Sequence, residues 1–258
     1  PDDTCEYCRT GRYNICPGVD FMATQPNYKG ALTQYMTHPE EWTYHIPEGM
    51  TTMEGALVEP AAVGMHAAVL GGAQPGKSIV ILGGGTIGLM VLQACISLGA
   101  TDITVVDVIE KRLELAKKLG AARVINGKEE DTVAVLRSEE MYGDHGVDLV
   151  FEAAGAVFTA QQAVQIVSRG GKIMMVGTQS KPVPIDFLKI NREVTIQTSF
   201  RYCNNFPQTI EAISSGRFNV KDMVTNIYDY EDVQKAFEEA IDPVKKTEMV
   251  KGVIKVAE

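Results

Sequence analysis

The glycines at positions 83, 85 and 88 form the pattern G-x-G-x-x-G between four aliphatic residues and an apolar segment of helical character. Gly83 allows a tight turn, Gly85 lets the backbone approach a pyrophosphate, and Gly88 permits close packing of a helix on a strand. A helix that begins here presents free N–H groups and a positive dipole end to phosphates. The spacing therefore predicts a dinucleotide site, with Thr86 and Ile87 in the same turn.

Asp107 ends the next apolar segment, 19 positions after Gly88. A carboxylate at this place can accept hydrogen bonds from the ribose hydroxyls and would repel a 2′-phosphate, so it favours NAD over NADP. Arg112 keeps NADP as an alternative, because a nearby arginine can also bind a 2′-phosphate. Alternatively, Arg112 is a solvated helix residue beside Glu110 and Glu114.

Three cysteines and an aspartate lie within the first 16 residues, as Asp2, Cys5, Cys8 and Cys16. Three thiolates at this spacing can bind zinc tetrahedrally with a fourth ligand, and a carboxylate oxygen is an acceptable, less soft one. Four protein ligands leave no position for substrate, so this zinc would be structural. The alternative is a surface lobe with three reduced, unliganded cysteines. The chain has five cysteines, an odd number that does not favour a disulfide framework.

Glu59 stands among small apolar residues, where Pro60 is expected to separate two helices and Thr51 or Thr52 to cap the first. A buried carboxylate costs several kcal/mol unless it is paired or bound to a metal. We therefore expect Glu59 to be part of a catalytic site, with a helix-end acid that reaches solvent as the alternative. His66 is expected to be a helix histidine with a satisfied hydrogen bond rather than a ligand.

Alternating strand and helix patterns surround these residues from about residue 74 to 199. Strands are predicted at 79–82, 103–106, 123–125, 149–151, 173–176 and 195–198. Helices are predicted at 86–98, 109–119, 130–140, 158–168 and 184–190. Six strands with helical crossovers indicate an α/β fold with a doubly wound Rossmann domain. Gly155 and Gly177 each follow one of these strands near the expected cofactor, although both can be simple turn glycines.

The flanking segments leave this repeat. Residues 31–36 and 42–46 have the pattern of short strands, with a turn at 25–27 before them. After a polar and aromatic loop at 200–207 we expect helices at 207–215 and 230–240 and a strand at 252–256. This last part is too small for a domain of its own. We therefore divide the chain into a partial catalytic domain at 1–60, the Rossmann domain at 61–199 and a return to the catalytic domain at 200–258.

Composition excludes several classes of partner. The 258 residues include 45% hydrophobic residues, enough for a substantial core, and carry a net charge of −9. This charge argues against nucleic acid, whose phosphates would be repelled. We find no apolar run near the roughly 20 residues that span a bilayer, and no signal peptide, so no membrane partner and a cytoplasmic location are expected.

Three motifs together resemble those of one enzyme family. They are Cys5-Glu6-Tyr7-Cys8 with its continuation to Cys16, Glu54-Gly55-Ala56-Leu57-x-Glu59-Pro60, and Phe200-Arg201-Tyr202-x-Asn204. In these motifs and in the dinucleotide turn, the chain resembles the zinc-dependent medium-chain dehydrogenases, most closely their sorbitol (L-iditol, polyol) branch. The resemblance covers essentially the whole chain.

The resemblance implies a Rossmann domain paired with the remaining part of a GroES-like, β-rich catalytic domain. It also implies NAD-dependent oxidation of a polyol secondary alcohol to a ketose, with Glu59 near a catalytic zinc. Arg201 and Tyr202 would line the substrate and nicotinamide end, and the protein would be a homodimer or homotetramer. Butanediol, threonine or glucose dehydrogenase of the same superfamily is one alternative, and a non-catalytic nucleotide-binding protein is another.

Two departures from the family pattern modify these expectations. Asp2 replaces the family's first structural-zinc cysteine, which is expected to weaken that zinc site. The family's catalytic cysteine and its adjacent His-Glu pair lie in an N-terminal segment, and this sequence contains no His-Glu dipeptide. We therefore expect an N-terminally truncated chain that binds NAD without turnover, with the catalytic zinc present only together with that segment.

Overall fold

The protein is built around a six-stranded parallel sheet. The computed structural model describes residues 1–24 and 29–256. The strands of the large sheet are β1 (Ser78–Leu82), β2 (Asp102–Asp107), β3 (Arg123–Asn126), β4 (Val147–Glu152), β5 (Val167–Met175) and β6 (Thr195–Thr198). They pair in the order β3-β2-β1-β4-β5-β6, and every pair is parallel. The strand order reverses between β1 and β4, which places the ligand crevice of such a sheet at their carboxyl ends.

Helices cover both faces of this sheet and flank it at both ends of the chain. The helices are α1 (Glu6–Arg9), α2 (Thr52–Ala56), α3 (Val58–Gly71), α4 (Thr86–Ser97), α5 (Glu110–Lys118), α6 (Thr132–Leu136), α7 (Val157–Ile166), α8 (Phe206–Ser214), α9 (Val233–Ile241) and α10 (Lys245–Glu248). Short 3₁₀ turns lie at Tyr13–Ile15, Glu40–Trp42, Lys221–Met223 and Tyr230–Asp232. None of the helices in the described ranges is long and apolar enough to cross a membrane.

Strand β1 shows why the sheet forms the centre of the core. Ile79 and Ile81 pack in one hydrophobic cluster, whereas Val80 and Leu82 pack in a second one. All four side chains are fully buried. Side chains of a strand alternate between its two faces, so an unbroken aliphatic run is stable only where both faces are covered.

The alternating pattern predicted by the sequence is confirmed, and all six predicted strands of the large sheet form. The predicted helix at 130–140 is shorter, Thr132–Leu136, because Asp131 caps its start and a turn follows. The predicted helix at 184–190 is wrong, since that segment forms turns. The strands predicted at 31–36 and 42–46 are also wrong, and the turn at 25–27 lies outside the described residues.

A second, two-stranded parallel sheet lies in the C-terminal part of the chain. Its strands are β7 (Val224–Asp229), which the sequence patterns did not reveal, and β8 (Lys251–Lys255). Helix α9 lies between them in sequence and begins at Val233, after a 3₁₀ turn. Before the short α10, Asp242 accepts hydrogen bonds from the N–H groups of Val244 and Lys245.

The two apolar helices around Pro60 are separated earlier than predicted. Leu57 is the boundary residue between α2 and α3, because it caps the end of the first and the start of the second. Pro60 lies inside the first turn of α3. A proline is tolerated there because the first N–H groups of a helix have no intrahelical acceptor. Thr51 caps α2 as expected, and its hydroxyl and N–H form a capping box with Glu54.

Candidate functional site

The turn between β1 and α4 has the geometry of a phosphate-binding loop. Gly83 has a φ of +109°, and a Cβ on it would lie 2.8 Å from the backbone nitrogen of Ala154. A Cβ on Gly88 would overlap the carbonyl oxygen of Gly83. Gly85 is different, because a Cβ there would meet a single neighbour, the Nη1 atom of Arg112 at 3.9 Å. The open space at Gly85, directly before the start of α4, fits a pyrophosphate.

Asp107 is buried at the carboxyl end of β2 and is held by backbone N–H groups. Its Oδ2 accepts a hydrogen bond from the N–H of Gly84 at 2.7 Å. Its Oδ1 accepts from Val108 at 2.8 Å and from Ile109 at 2.9 Å. The structure therefore places this carboxylate directly beside the glycine turn, as the sequence spacing predicts, and in one fixed orientation.

Arg112 lies across the same turn. Its Nη1 atom is 3.6 Å from the Oδ2 of Asp107, and its Nη2 atom donates to the carbonyl of Lys246 at 3.4 Å. The Nε atom is buried and has no hydrogen-bond partner within the described part of the chain. A buried donor without an acceptor costs about 1–3 kcal/mol. A ribose or phosphate oxygen bound here is a group that could satisfy it.

The segment around α10 lies over this end of the site, which the sequence patterns did not predict. The Thr86 hydroxyl donates to the carbonyl of Val250, and the Lys111 ammonium pairs with Glu248 at 2.7 Å. Ile87 is half-buried in the first turn of α4. These contacts join residues more than 130 positions apart, so no local pattern could have revealed them.

Gly155 and Gly177 meet at the carboxyl ends of β4 and β5. A Cβ on Gly155 would lie 2.5 Å from the carbonyl oxygen of Thr178, and a Cβ on Gly177 would overlap the nitrogen of Gly155. Both glycines are therefore required by close packing of the backbone at this edge, beside the crevice. The fully buried carboxylate of Glu152 organises the same loops.

Glu152 was not predicted as a site residue. Its Oε1 accepts hydrogen bonds from the N–H groups of Ala154 and Gly155 and from the Thr159 hydroxyl, at 3.0, 2.9 and 2.7 Å. Its Oε2 accepts from the amide of Gln179 at 2.7 Å. The available sequence signal was an acidic residue at the end of an otherwise apolar strand.

The N-terminal cysteines and Asp2 come together. The ligand atoms of Asp2, Cys5, Cys8 and Cys16 all lie within 4.8 Å of one another. Backbone N–H groups of Cys5 and Thr4 donate to Asp2 and hold its pKa well below the ordinary value. Three thiols and one carboxylate at these separations are a suitable donor set for zinc. Within the described ranges, this is the one group of three or more such side chains that could hold a metal.

Backbone donors also support the sulfur of Cys16. The N–H groups of Asp2 and Gly18 point to it at 3.4 and 3.3 Å. Burial by itself raises the pKa of this thiol, but these donors outweigh it and lower the pKa. Donors of this kind favour the thiolate, which is the form that binds metal.

Tyr202 lies close enough to Glu59 and to Arg201 for both charges to act on its hydroxyl. Burial raises the pKa of Tyr202 to about 12, and the negative charge of Glu59 adds to this effect, whereas Arg201 opposes it. The expectation that Glu59 is buried is wrong, since its side chain is exposed in the first turn of α3. The chain turns into α3 at Leu57, so Leu57 and Val58 point into the core and Glu59 points away from it.

Helix α3 also connects Glu59 with the cofactor turn. A Cβ on Gly64 would lie 2.5 Å from the carbonyl carbon of Met90, so α3 and α4 pack backbone to backbone. Further along α3, His66 is a hydrogen-bonded helix histidine, as expected, with its Nδ1 atom 2.9 Å from the Oδ1 of Asn205. Burial lowers the pKa of His66.

A cavity of about 220 Å³ lies elsewhere, at the amino ends of β5 and β6. Its lining includes Arg137, Arg169, Lys189 and Arg192. Ligands of doubly wound sheets bind at the carboxyl ends of the strands. The cavity is therefore not the cofactor crevice.

Comparison with known proteins identifies the family. Residues 86–215 match the zinc-binding dehydrogenase family. An uncharacterized zinc-type alcohol dehydrogenase-like protein of Escherichia coli is 63% identical over the whole chain, which spans 73% of that protein. The sorbitol dehydrogenase of Bacillus subtilis is 41% identical over 92% of the chain and 67% of its own length. A crystal structure of an E. coli oxidoreductase of unknown specificity superposes with a TM-score of 0.97, at 62% identity, over 100% of this chain and 73% of that one.

Proposed function

Because the chain belongs to the zinc-binding dehydrogenase family, we propose that it is a polyol dehydrogenase that oxidises a secondary alcohol to a ketone with NAD. Oxidoreductase chemistry follows from the family, and the identity to a sorbitol dehydrogenase supports the polyol. The observation that carries the substrate assignment is the loop of Arg201 and Tyr202, whose phenol lies close to the carboxylate of Glu59. A polyol presents several adjacent hydroxyls, which such charged and phenolic groups can bind.

The cofactor proposal rests on the geometry around Asp107. NAD accepts the hydride in this chemistry and would lie along the glycine turn, with its pyrophosphate at Gly85. Asp107 would accept hydrogen bonds from the adenosine ribose, and Arg112 would use its unpartnered Nε on the same sugar or its phosphate. The negative charge of Asp107 disfavours a 2′-phosphate, so NAD is proposed over NADP.

Two zinc roles belong to the proposal. Among the described residues Glu59 belongs to no group of three or more possible metal ligands. A catalytic zinc beside it would therefore need the cysteine and the His-Glu pair of the family's N-terminal segment, and would supply Lewis-acid chemistry that lowers the pKa of the substrate hydroxyl. Arg201 and Tyr202 would orient the polyol and exclude water beside it. A second, structural zinc would be held by Asp2, Cys5, Cys8 and Cys16, whose donor atoms lie within 4.8 Å.

The decisive experiment is a substrate and cofactor panel with metal analysis. Sorbitol, xylitol, L-iditol, 2,3-butanediol, threonine and glucose would each be offered with NAD and with NADP, and reduced cofactor followed at 340 nm. We expect turnover of a polyol with NAD when the family's N-terminal segment, with its catalytic cysteine and His-Glu pair, is present, and NAD binding without turnover when it is absent. We expect Tyr202→Phe and Arg201→Ala to abolish this turnover. Turnover of only butanediol, threonine or glucose would contradict the substrate. Tight NADH binding without oxidation of any alcohol, by metal-loaded protein that carries this N-terminal segment, would support a non-catalytic nucleotide-binding protein.

A further inference from the structure

The loop that carries Arg201 and Tyr202 has a strained backbone. Arg201 has a φ of +54° and Asn204 a φ of +57°, both in the left-handed region that side chains disfavour. Two such residues within four positions persist only where surrounding contacts hold them. Contacts from other segments must therefore hold the 200–205 loop.

Two of these contacts come from the cysteine lobe, defined as residues 2–16. The side-chain amide of Asn14 donates to the carbonyl of Phe200 at 2.8 Å. The N–H of Asn204 donates to the hydroxyl of Tyr13, also at 2.8 Å. Asn14 is buried, with 5% of its surface exposed, so its hydrogen bond is shielded from water.

Two more contacts converge on one carbonyl of the lobe. The oxygen of Gly11 accepts from the side-chain amide of Asn204 and from the thiol of Cys203, both at 2.9 Å. Beyond the lobe, Phe21 supports the guanidinium of Arg201, which lies 4.0 Å from the centre of its ring. Both left-handed residues of the loop are thus held by residues 11–21.

Three of the four residues that hold the loop lie between two of the candidate metal ligands. Gly11, Tyr13 and Asn14 all belong to the seven-residue segment between Cys8 and Cys16. A metal ion that joins these two cysteines closes a ring and removes conformational freedom from the segment inside it. Without this closure the two thiols have no covalent link, since both cysteines are free.

We propose that the cysteine lobe positions the 200–205 loop, so that zinc at Cys8 and Cys16 fixes the strained backbone that presents Arg201 and Tyr202. Asn14 and Tyr13 are the positioning residues of this device, and neither is a metal ligand. The inference rests on the proposed roles of the lobe and of the loop. It adds that metal in the lobe acts on the substrate end of the site through these hydrogen bonds.

The single tryptophan provides a spectroscopic probe. Trp42 packs edge-on against Tyr13, with 4.7 Å between the ring centroids. Its emission therefore responds to the same segment that holds the loop. Hydrogen exchange of the 200–206 amides reports on the loop itself, because the N–H of Asn204 is bonded to Tyr13 and that of Cys203 to Asn205.

The test compares zinc-loaded protein with protein stripped by a chelator and reloaded with zinc. We expect stripping to speed exchange of the 200–206 amides by about tenfold or more, while the strands of the large sheet keep their protection. Trp42 emission should shift in parallel, and both changes should reverse on reloading. Equal exchange of the loop in loaded and stripped protein would overturn the proposal.

Three variants separate positioning from general damage. Asn14→Ala removes the donor to Phe200, and Tyr13→Phe removes the acceptor for Asn204 while its ring stays against Trp42. Both variants should retain zinc in the cysteine lobe, yet the amides of their 200–205 loops should exchange rapidly even in the zinc-loaded protein. Thr10→Ala is the matched control, because the Thr10 hydroxyl donates only to carbonyls within the lobe among the described contacts. Its loop should behave as in the wild type.

The readouts also distinguish this inference from the proposed function. Metal-dependent loop protection without polyol turnover, in protein that carries the family's N-terminal segment, would support the positioning role and contradict the dehydrogenase assignment. Polyol turnover together with loop exchange that is the same with and without zinc would support the dehydrogenase assignment and contradict the positioning role. In active protein, Tyr13→Phe should raise the KM for polyol and leave the KM for NAD unchanged. Equal changes in both constants would count against positioning.

Discussion

Gly85 and Gly88 stand three positions apart in one turn, but a methyl group has different consequences at each. Gly88→Ala forces a Cβ into the carbonyl of Gly83, so we expect a loss of about 1–3 kcal/mol in the free energy of unfolding. Gly85→Ala meets open space at a φ of −72°, so stability should be unchanged or slightly increased. NADH binding should nevertheless weaken by about tenfold, because the methyl group occupies the pyrophosphate position.

Urea unfolding and NADH fluorescence titration of these two variants check the prediction. The informative comparison is Gly85→Ala, since it separates folding from binding. If this variant binds NADH as tightly as the wild type, the pyrophosphate does not lie against Gly85.

Asp107 should decide between the two nicotinamide cofactors. Asp107→Asn removes the charge while leaving one oxygen for the backbone donors Val108 and Ile109. We expect the Kd for NADH to rise by about tenfold and the Kd for NADPH to fall or stay the same, because repulsion of a 2′-phosphate is removed. Direct titration with both reduced cofactors measures this change.

The exposed Asp144→Asn provides the matched control for that charge change. It should leave both dissociation constants unaltered. A wild type that binds NADPH as tightly as NADH would contradict the role given to Asp107 and favour Arg112 as a phosphate ligand.

The start of α2 introduces a pH dependence of stability. Glu54 is buried; burial pushes its pKa up, but hydrogen bonds from Thr51 and the ion pair with Lys221 at 3.2 Å outweigh this and lower it. A carboxylate with a lowered folded-state pKa stabilises the protein above its unfolded value of 4.5. This contribution is lost as the pH falls through the folded-state pKa.

Glu54→Gln should therefore be less stable than the wild type at pH 7, by about 1 kcal/mol. The difference should shrink below pH 4.5 and disappear once the wild-type carboxyl is protonated. Urea unfolding of both proteins from pH 3 to 7 tests it. Glu48→Gln, an exposed acid just before the same helix, should show no such difference. If the difference in the free energy of unfolding were the same at every pH, the shape of the side chain rather than its charge would explain it.

The whole molecule should be stabilised by its cofactor. Binding to the folded state alone adds about 2.7 kcal/mol at a ligand concentration of 100 times Kd. For a protein of this size we expect NADH to raise Tm by roughly 5–10 °C, and NADPH to raise it less at the same concentration. Calorimetry of wild type and of Gly85→Ala checks this, since at the same NADH concentration a tenfold weaker affinity should remove about half of the shift. Equal shifts with both cofactors would contradict the NAD proposal.

The large sheet and its glycine turn could be predicted from sequence because their signals are local. A strand buried on both faces must be an aliphatic run, as at 79–82, and a turn under a pyrophosphate must lack side chains. The cysteine spacing was local as well, and the structure brings all four candidate ligands within 4.8 Å. In each case the physical requirement falls on neighbouring residues, so it is visible in their order.

The contacts that complete the site join distant segments, and the sequence patterns missed them. Residues 42–46 resemble a strand, but Trp42 packs on Tyr13 and Tyr44 stacks on Phe206 instead. Glu59 looked buried because its neighbours are apolar, yet the place where α3 begins turns it outward. Asn14 carried no signal, although its amide holds the carbonyl of Phe200, 186 positions away. Local propensity does not encode such partners, because they are set by how the finished elements pack.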